Sequence, residues 1–230
     1  MTSVAERQRR QKKTAVPSDD IEFFDVEQGS EAWHDLRRGL PTASKFADVM
    51  ASSDEAKMRT KYLHRLAGEI VSGETAETFR SDAMDRGRDM EPLARAYYER
   101  THLVDVEPIG FVKRTVRPQA LGAKAFVIGA SPDGRVSKRK GLEIKTMRPE
   151  LLLAAKGRGV PTEHRAQCQG TMFAADFDEI DLLLFYDGRK GPMALKYTVV
   201  RDEVYIKQLV NALDAFCYDL RNLVAQWRNQ

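Results

Sequence analysis

The chain has 230 residues, 42% of them apolar, which suits one domain with a substantial core and leaves little room for a second. Its net charge of +3 does not indicate a globally basic surface, so any nucleic acid would have to bind in a local groove. No apolar run reaches the ~20 residues of a membrane span and no apolar leader begins the chain, so we expect no membrane association and a cytoplasmic location. The two cysteines form no metal-binding motif, which fits a reducing compartment.

The basic character of the chain is concentrated at its start. The first 13 residues carry five basic side chains and one acidic one, a net charge of +4, which leaves −1 for the remainder. Residues 1–19 are polar and poor in apolar side chains, so we predict a disordered basic tail followed by a single folded domain over residues 20–230. The tail is either an arm that contacts nucleic acid or a solubilising extension.

A polar pattern in the middle of the chain gives the first indication of chemistry. Residues 128–146 are typical of a strand, a tight turn, a short basic loop and a second strand. Glu143 and Lys145 share one face of the second strand, because alternate side chains point to the same side of a sheet. Asp133 lies in the S-P-D-G turn, and a hairpin would bring it alongside Glu143.

Two carboxylates beside a lysine suit the hydrolysis of a phosphodiester. Asp133 and Glu143, with the backbone carbonyl of Ile144, supply the hard oxygen ligands that Mg²⁺ prefers. Lys145 would orient the attacking water or neutralise charge that develops on the phosphate. The alternative is a surface hairpin with an ordinary Glu–Lys pair, because so short a pattern also occurs by chance.

An earlier segment has the features of an anion site. Ser30 is a suitable N-cap for a helix that carries Trp33 and Arg37 one turn apart. A second helix is expected to start at Thr42 or Ser44, where a hydroxyl and free backbone N–H groups suit a phosphate. Arg37 would form paired hydrogen bonds to the same phosphate. The alternative is a plain helix–turn–helix corner with ordinary caps.

The next segments are expected to be helical. Residues 59–71 form an amphipathic helix whose apolar face belongs to the core. Residues 81–102 form one long helix or two in series, with a kink or a restart near Glu91 because Pro92 removes a backbone donor. Glu91 lies on or beside the apolar stripe, where it is either a buried functional carboxylate or a partly solvated one.

The second half of the chain alternates strands and helices. Gln167 lies on one side of a predicted helix, where it would bond either a phosphate or a structural partner, and His164 is expected to be solvated. The order of elements indicates an α/β (α+β) domain with a mixed central sheet flanked by helices. The strands are predicted at 104–113, 125–129, 179–186 and 193–201, and the helices at 151–156, 162–176 and 203–227.

Five short motifs, in this order along the chain, resemble those of the phage lambda exonuclease family, also called YqaJ-like viral recombinases, of the PD-(D/E)XK nuclease superfamily. The resemblance spans roughly residues 28–200. The motifs are W-x-x-x-R with T-A-S from Trp33, R-G-x-x-x-E ending at Glu91, S-P-D-G from Ser131, E-I-K from Glu143, and A-Q-C-Q from Ala166.

This resemblance implies a restriction-endonuclease-like core and an activity. The activity is a Mg²⁺-dependent 5′→3′ exonuclease that digests linear double-stranded DNA from 5′-phosphorylated ends and leaves 3′ single strands for recombination by strand annealing. Mn²⁺ is expected to substitute, with one or two ions per site. The implied assembly is a homotrimeric ring, its partner a single-strand annealing protein, and its setting the cytoplasm of a bacterial or phage-infected cell.

The resemblance also implies roles for individual residues. Asp133, Glu143 and the Ile144 carbonyl hold the metal, Lys145 serves the attacking water, and Glu91 assists the metal site. The loop from Asp133 to Glu143 is short, so a further phosphate ligand cannot be assigned to it. The residues implied to contact the 5′-phosphate or the DNA are Arg37, Ser44, Thr42 and Gln167, with Trp33 packing against the pocket and Met84 acting as a wedge between base pairs.

Two alternatives remain open at this point. The protein is either another nuclease of the superfamily, such as an endonuclease or a junction resolvase that needs no 5′-phosphate pocket, or a non-catalytic DNA-binding or assembly module. The intact set of Asp133, Glu143 and Lys145 argues against the second alternative.

Overall fold

The computed structural model describes residues 20–51, 56–76, 82–118 and 122–229, without the side chains of 82–86 and 88. The tail predicted at residues 1–19 lies outside this description. Two 3-10 turns are formed by Ala43–Lys45 and Thr162–His164. The helices are α1 Glu31–Arg37, α2 Phe46–Met50, α3 Ala56–Ser72, α4 Asp82–His102, α5 Pro149–Ala155, α6 Arg165–Ala175 and α7 Glu203–Arg228. The strands are β1 Asp20–Phe24, β2 Phe111–Val116, β3 Phe126–Ala130, β4 Gly134–Ser137, β5 Lys140–Thr146, β6 Glu179–Gly188 and β7 Gly191–Val200.

The strands form two sheets that meet at the site predicted from the sequence. The order β1-β2-β3 forms an antiparallel sheet, and the order β4-β5-β6-β7 forms a mixed sheet in which β5 and β6 run parallel. A parallel pair needs a crossover connection, and α5 and α6 provide it. This arrangement confirms the predicted mixed sheet flanked by helices. The chain passes from one sheet to the other through the three residues between Ala130 and Gly134.

Strand β5 has the two different faces that its alternating sequence predicts. Leu142 and Ile144 are buried in an apolar cluster with Ala94 and Tyr98 of α4. Glu143 and Lys145, which alternate with them, face the opposite side, where Glu143 meets Gln167 of α6. The strand therefore lies between two helices and presents Glu143 to only one of them, α6.

Helix α6 is the most enclosed helix of the fold, with nine of its eleven residues buried. Gly170 permits this packing, because a Cβ at this position would lie 2.2 Å from the ring of Phe46 on α2. Asp176 ends the helix in the left-handed conformation, with φ 58°. The close contact between α6 and α2 holds the start of α6 against the polar face of β5.

Three expectations about the elements are corrected. The strand predicted at 104–113 begins only at Phe111, because Glu107 forms an isolated bridge with Arg135 and Pro108 has no N–H for a ladder. The segment 81–102, predicted as one long helix or two in series, forms one helix that continues through Pro92, so the restart expected as an alternative to a kink near Glu91 does not occur. The segment after the S-P-D-G turn, predicted as a basic loop, contains the short strand β4. Strand β1 was not predicted either.

The last helix follows its prediction closely. Asp202 caps α7 by accepting hydrogen bonds from the backbone N–H groups of Val204 and Tyr205. Its apolar stripe packs on the antiparallel sheet together with α3, in a cluster that includes Leu66, Ile128 and Phe216. None of the described helices is both long and apolar enough to cross a membrane.

Candidate active site

The turn before β4 brings two carboxylates together, as the sequence predicted. The Ile144 N–H donates a 2.6 Å hydrogen bond to Asp133 Oδ2, and the Asp133 N–H donates to the Leu142 carbonyl at 3.2 Å. These two bonds attach the turn to β5 beside Glu143. We call Asp133 and Glu143 the carboxylate pair.

Glu143 is almost completely enclosed, with 2% of its surface exposed. Its Oε1 accepts hydrogen bonds from Lys145 Nζ at 2.8 Å and from Gln167 Nε2 at 2.5 Å. Its Oε2 is buried and has no hydrogen-bond partner among the described residues. A buried carboxylate oxygen without a partner is costly, so this atom has the environment of a ligand position for a cation.

The electrostatics of the carboxylate pair also favour a cation. Burial, together with repulsion from Glu143 and Glu91, holds the pKa of Asp133 well above its usual range. Burial alone would lower the pKa of the Lys145 ammonium, but attraction to Glu143 and Asp133 outweighs it and the pKa is raised. One lysine therefore faces more negative charge than it can neutralise.

The donor set fits magnesium better than a transition metal. Within the described ranges, no three His, Cys, Asp or Glu side chains converge as metal ligands. Glu91, predicted to assist the metal, instead forms an ion pair with Arg95 at 2.8 Å. Mg²⁺ needs only one or two carboxylates, because it retains several waters. The carboxylate pair and the Ile144 carbonyl are therefore a sufficient set.

A second group of side chains lies on the other side of the S-P-D-G turn. Trp33 Nε1 and Arg37 Nη1 both donate to Ser131 Oγ, at 3.0 and 3.1 Å. The guanidinium of Arg37 lies over the Trp33 ring, with Cζ 4.0 Å from the ring centroid, and Nη2 is 3.5 Å from Thr42 Oγ1. We call Trp33, Arg37, Thr42 and Ser131 the arginine pocket.

The arginine pocket holds a positive charge on neutral partners. Burial lowers the pKa of the Arg37 guanidinium to about 10, so it stays charged at neutral pH. Over the described part of the chain, no carboxylate lies at ion-pair distance from it. Its side-chain hydrogen bonds go to two hydroxyl groups, those of Ser131 and Thr42. Glu69 attracts the guanidinium from a distance, but that carboxylate is already bound by the Gly39 N–H and by Arg65. A half-buried cation whose hydrogen-bond partners are neutral is suited to an incoming anion.

The backbone places this pocket beside the carboxylate pair. The segment after α1 runs along β3, where the Gly129 N–H donates to the Pro41 carbonyl at 2.9 Å. Thr42 is buried and its N–H donates to the Tyr62 hydroxyl at 3.1 Å, while Ser44 is exposed on the 3-10 turn. Ser131 is only two residues from Asp133, so the two groups adjoin. The side chain of Met84 lies outside the described residues.

The sequence profile of the YqaJ-like viral recombinase domain matches residues 32–178. The chain belongs to the YqaJ-like viral recombinase family. The match covers more than half of the chain, from α1 to the end of α6, and includes both the carboxylate pair and the arginine pocket. No curated protein sequence matches the chain.

Solved structures similar to this recombinase-family protein include exonucleases. The alkaline exonuclease LHK-Exo from Laribacter hongkongensis is 27% identical, with a TM-score of 0.72 over 87% of this chain and 97% of that one. The same enzyme in complex with dAMP gives 26% identity and a TM-score of 0.73, with the same coverage. A phage-related exonuclease from Haemophilus somnus 129PT is 15% identical, with a TM-score of 0.55 over 84% of this chain and 99% of that one, which shows a shared fold.

Three residues of the recombinase-family site were not among those predicted. Ser131 was part of a quoted motif, but its role depends on contacts to residues 94 and 98 positions away. Arg95 follows Glu91 by one helical turn, a spacing that could have predicted their ion pair. His164 was expected to be solvated; its side chain is half-buried, and its Nε2 is enclosed with no hydrogen-bond partner among the described residues.

A cavity of ≈ 800 Å³ opens beside Trp33 of the arginine pocket. Its walls include Trp33 from the arginine pocket and Glu91 with its partner Arg95. Gln28 shapes the floor by donating to the carbonyl oxygens of Ile109 and Pro132, at 3.0 and 3.1 Å. The cavity is within the size range of small-molecule sites and large enough for a nucleotide.

Proposed function

We propose that the protein is a Mg²⁺-dependent 5′→3′ exonuclease that digests linear double-stranded DNA from 5′-phosphorylated ends. Membership of the recombinase family and the likeness to an alkaline exonuclease support a nuclease. One observation carries the finer proposal: Glu143, with its unpartnered buried oxygen, lies beside Asp133, and Ser131 links this pair to a half-buried guanidinium that has no carboxylate at ion-pair distance among the described residues. The protein thus has a cation site and an anion site side by side.

The carboxylate pair would hold the metal and organise the attack. A bound Mg²⁺ polarises the phosphodiester and lowers the pKa of a coordinated water. Glu143 would bind through Oε2, because Oε1 is occupied by Lys145 and Gln167. Lys145, fixed by that ion pair, would donate to the attacking water or to the phosphate oxygens. Gln167 would keep Glu143 in its orientation.

The arginine pocket would bind the terminal 5′-phosphate. Arg37 already has its plane fixed by the Trp33 ring and by Ser131, so little side-chain entropy would be lost on binding. Ser44, exposed on the turn nearby, would add a hydroxyl donor. A DNA end bound here would place the adjacent phosphodiester near the carboxylate pair.

The assembly and the biological role are part of the same proposal. We infer a homotrimeric ring, which would keep the enzyme on its substrate without a strongly basic surface, since the chain outside the tail carries a net charge of −1. A sedimentation mass of three times 26.0 kDa would support this arrangement. The 3′ strand left behind would pass to a single-strand annealing protein for recombination in the bacterial or phage-infected cytoplasm.

The decisive experiment uses a linear duplex with one 5′-phosphate end and one 5′-hydroxyl end. Each strand is labelled separately and digested with Mg²⁺ by the wild type and by Lys145→Ala. Stepwise loss of the phosphorylated strand from its 5′ end, absent in Lys145→Ala, is the expected result. Equal digestion of both ends, or cutting of closed circular DNA at the same rate, would instead indicate an endonuclease or resolvase. No cleavage by either protein would favour the remaining alternative, a non-catalytic DNA-binding module.

A further inference from the structure

The segment that joins α1 to the first 3-10 turn carries two members of the arginine pocket. Arg37 lies at its start and Thr42 at its end, and the two side chains meet at 3.5 Å. Strand β3 holds part of the backbone between them, where the Gly129 N–H donates to the Pro41 carbonyl at 2.9 Å. The same segment also contacts helix α3, and those contacts reach Thr42 itself.

Two buried side chains of α3 bind the backbone of this segment. The Tyr62 hydroxyl accepts a hydrogen bond from the Thr42 N–H at 3.1 Å and donates one to the Leu40 carbonyl at 3.4 Å. Glu69 Oε2 accepts from the Gly39 N–H at 2.9 Å. A single hydroxyl thus bridges two backbone groups, one of which belongs to a residue of the pocket.

Tyr62 is itself held in place. Its side chain is 5% exposed, and its ring stacks on Phe216 of α7 with the centroids 5.5 Å apart and an interplanar angle of 28°. Burial raises the pKa of Tyr62, so the hydroxyl stays protonated at neutral pH and keeps its hydrogen to donate. A ring this enclosed does not touch a bound DNA end, so any effect on the substrate must pass through the backbone that it binds.

We propose that Tyr62 is a positioning residue of the arginine pocket, which holds Thr42 against Arg37 and thereby sets the preference for a 5′-phosphate. This inference rests on the proposed function. The contact between Arg37 and Thr42 is the weaker of the two that Arg37 makes with hydroxyl groups, at 3.5 Å against 3.1 Å to Ser131. A small shift of Thr42 would therefore break it, and a less constrained guanidinium loses more side-chain entropy when it binds an anion.

Tyr62→Phe removes a single oxygen and keeps the ring that stacks on Phe216. Thr42 and Leu40 then lose the hydroxyl that ties their backbone groups to α3. We expect KM on 5′-phosphorylated linear duplex to rise about tenfold, with kcat within about twofold of the wild type. The rate on 5′-hydroxyl ends should not change, so the ratio of the two rates should fall by the same factor.

Tyr98→Phe is the matched control for the loss of a buried hydroxyl. Tyr98 is 2% exposed and donates to Asp181 at 2.7 Å, in contacts that do not involve the arginine pocket. Both variants should have lower thermal midpoints than the wild type, but the ratio of rates should fall only in Tyr62→Phe. An equal fall in both variants would show that the ratio follows stability alone and would overturn the proposal.

Thr42→Val tests the same contact from its other end. It keeps the backbone N–H for Tyr62 and removes Oγ1, so the ratio should fall about as far as in Tyr62→Phe. The double variant should fall little further, because both changes break one contact. An unchanged ratio in Thr42→Val, or losses that multiply in the double variant, would contradict the proposed chain of contacts, even if Tyr62→Phe failed to fold.

A binding measurement provides a readout that does not depend on cleavage. Hairpin duplexes with a 5′-phosphate or a 5′-hydroxyl end are titrated into Lys145→Ala without divalent metal, with and without Tyr62→Phe. The phosphorylated end should bind more tightly to Lys145→Ala, and Tyr62→Phe should reduce this difference about tenfold.

The outcomes separate this inference from the proposed function. A preference for phosphate that survives Tyr62→Phe unchanged refutes the positioning role alone. No preference in either the wild type or Lys145→Ala refutes the phosphate pocket and the positioning role with it. A binding preference that Tyr62→Phe reduces, in a protein that cleaves no DNA, supports the positioning role and refutes the nuclease.

Discussion

At the scale of single residues, the candidate site consists of buried polar atoms that the fold itself does not satisfy. Glu143 Oε2 and His164 Nε2 have no partner among the described residues, and Arg37 is hydrogen-bonded there only to the hydroxyl groups of Ser131 and Thr42. Each carries a cost that a purely structural site would avoid. Two of them belong to the adjoining carboxylate pair and arginine pocket, and this is the strongest sign of function in the described part of the chain.

Glu143→Gln should abolish nuclease activity, with a loss of at least about 100-fold, because an amide is a poor ligand for Mg²⁺. The amide oxygen can still accept from Lys145 and Gln167, so the fold should persist. Initial rates on 5′-phosphorylated linear duplex, with circular dichroism as the folding control, would measure this. A variant that retains wild-type Mg²⁺-dependent rates would remove Glu143 from the metal site.

Arg37→Lys should reduce the preference for 5′-phosphorylated ends while chemistry continues. Lysine keeps the charge but loses the planar fork and the contact with the Trp33 ring. We expect the ratio of rates on 5′-phosphate and 5′-hydroxyl ends to fall by about tenfold, as one charge-assisted hydrogen bond is lost. An unchanged ratio would show that the anion binds elsewhere.

At the scale of elements, periodicity predicted most of the helices and the two faces of β5. The alternation of Glu143 and Lys145 with apolar residues predicted that the two charged side chains share one face of the strand, and the structure agrees. Strands β1 and β4 have five and four residues, too few for a periodic signal. The arginine pocket was only partly predictable, because Ser131 joins it through contacts distant in sequence.

Gly170→Ala should destabilise the protein by about 1–3 kcal/mol, because the new methyl group would collide with Phe46. Gly68→Ala is the matched control: it lies in helix α3 with open space around the added Cβ, and should be stabilising by up to about 1 kcal/mol. Urea unfolding of the three proteins measures both effects. Equal changes in the two variants would mean that α6 and α2 can separate without cost.

Asp181 links α4 to the mixed sheet and should make the fold sensitive to acid. It accepts from Tyr98 at 2.7 Å, Thr198 at 2.6 Å, Lys140 at 3.1 Å and Lys196 at 3.2 Å. Burial would raise its pKa, but the hydrogen bonds from Thr198, Tyr98 and Lys140 outweigh burial and the pKa is lowered.

A lowered pKa in the folded state stabilises the fold above the unfolded pKa of about 3.9, and this contribution is lost as the pH falls below it. Asp181→Asn should therefore be about 3 kcal/mol less stable than the wild type at pH 7, with a smaller difference at pH 3. Denaturant unfolding at the two pH values provides the test. A difference that does not depend on pH would contradict the ionised state assigned to Asp181.

At the scale of the whole molecule, cation binding should couple to folding. The carboxylate pair carries more negative charge than Lys145 offsets, so Mg²⁺ should raise the thermal midpoint of the wild type in proportion to the logarithm of its concentration. Without metal, Asp133→Asn should be more stable than the wild type, because it removes a buried carboxyl group whose raised pKa shows that its ionised form is unfavourable. The variant should also respond little to Mg²⁺. The same Mg²⁺ response in both proteins would place the cation elsewhere.

The three residues between β3 and β4 have a further consequence for the products of the reaction. Ser131 belongs to the arginine pocket on one sheet and Asp133 to the carboxylate pair on the other, so a single residue separates the two. Three residues of chain span at most about 10 Å. If a DNA end binds in the arginine pocket as proposed, this span would fix how far the end lies from the bond that is cut. The released fragment should therefore be a mononucleotide at every step, and a residue inserted beside Pro132 should lengthen it.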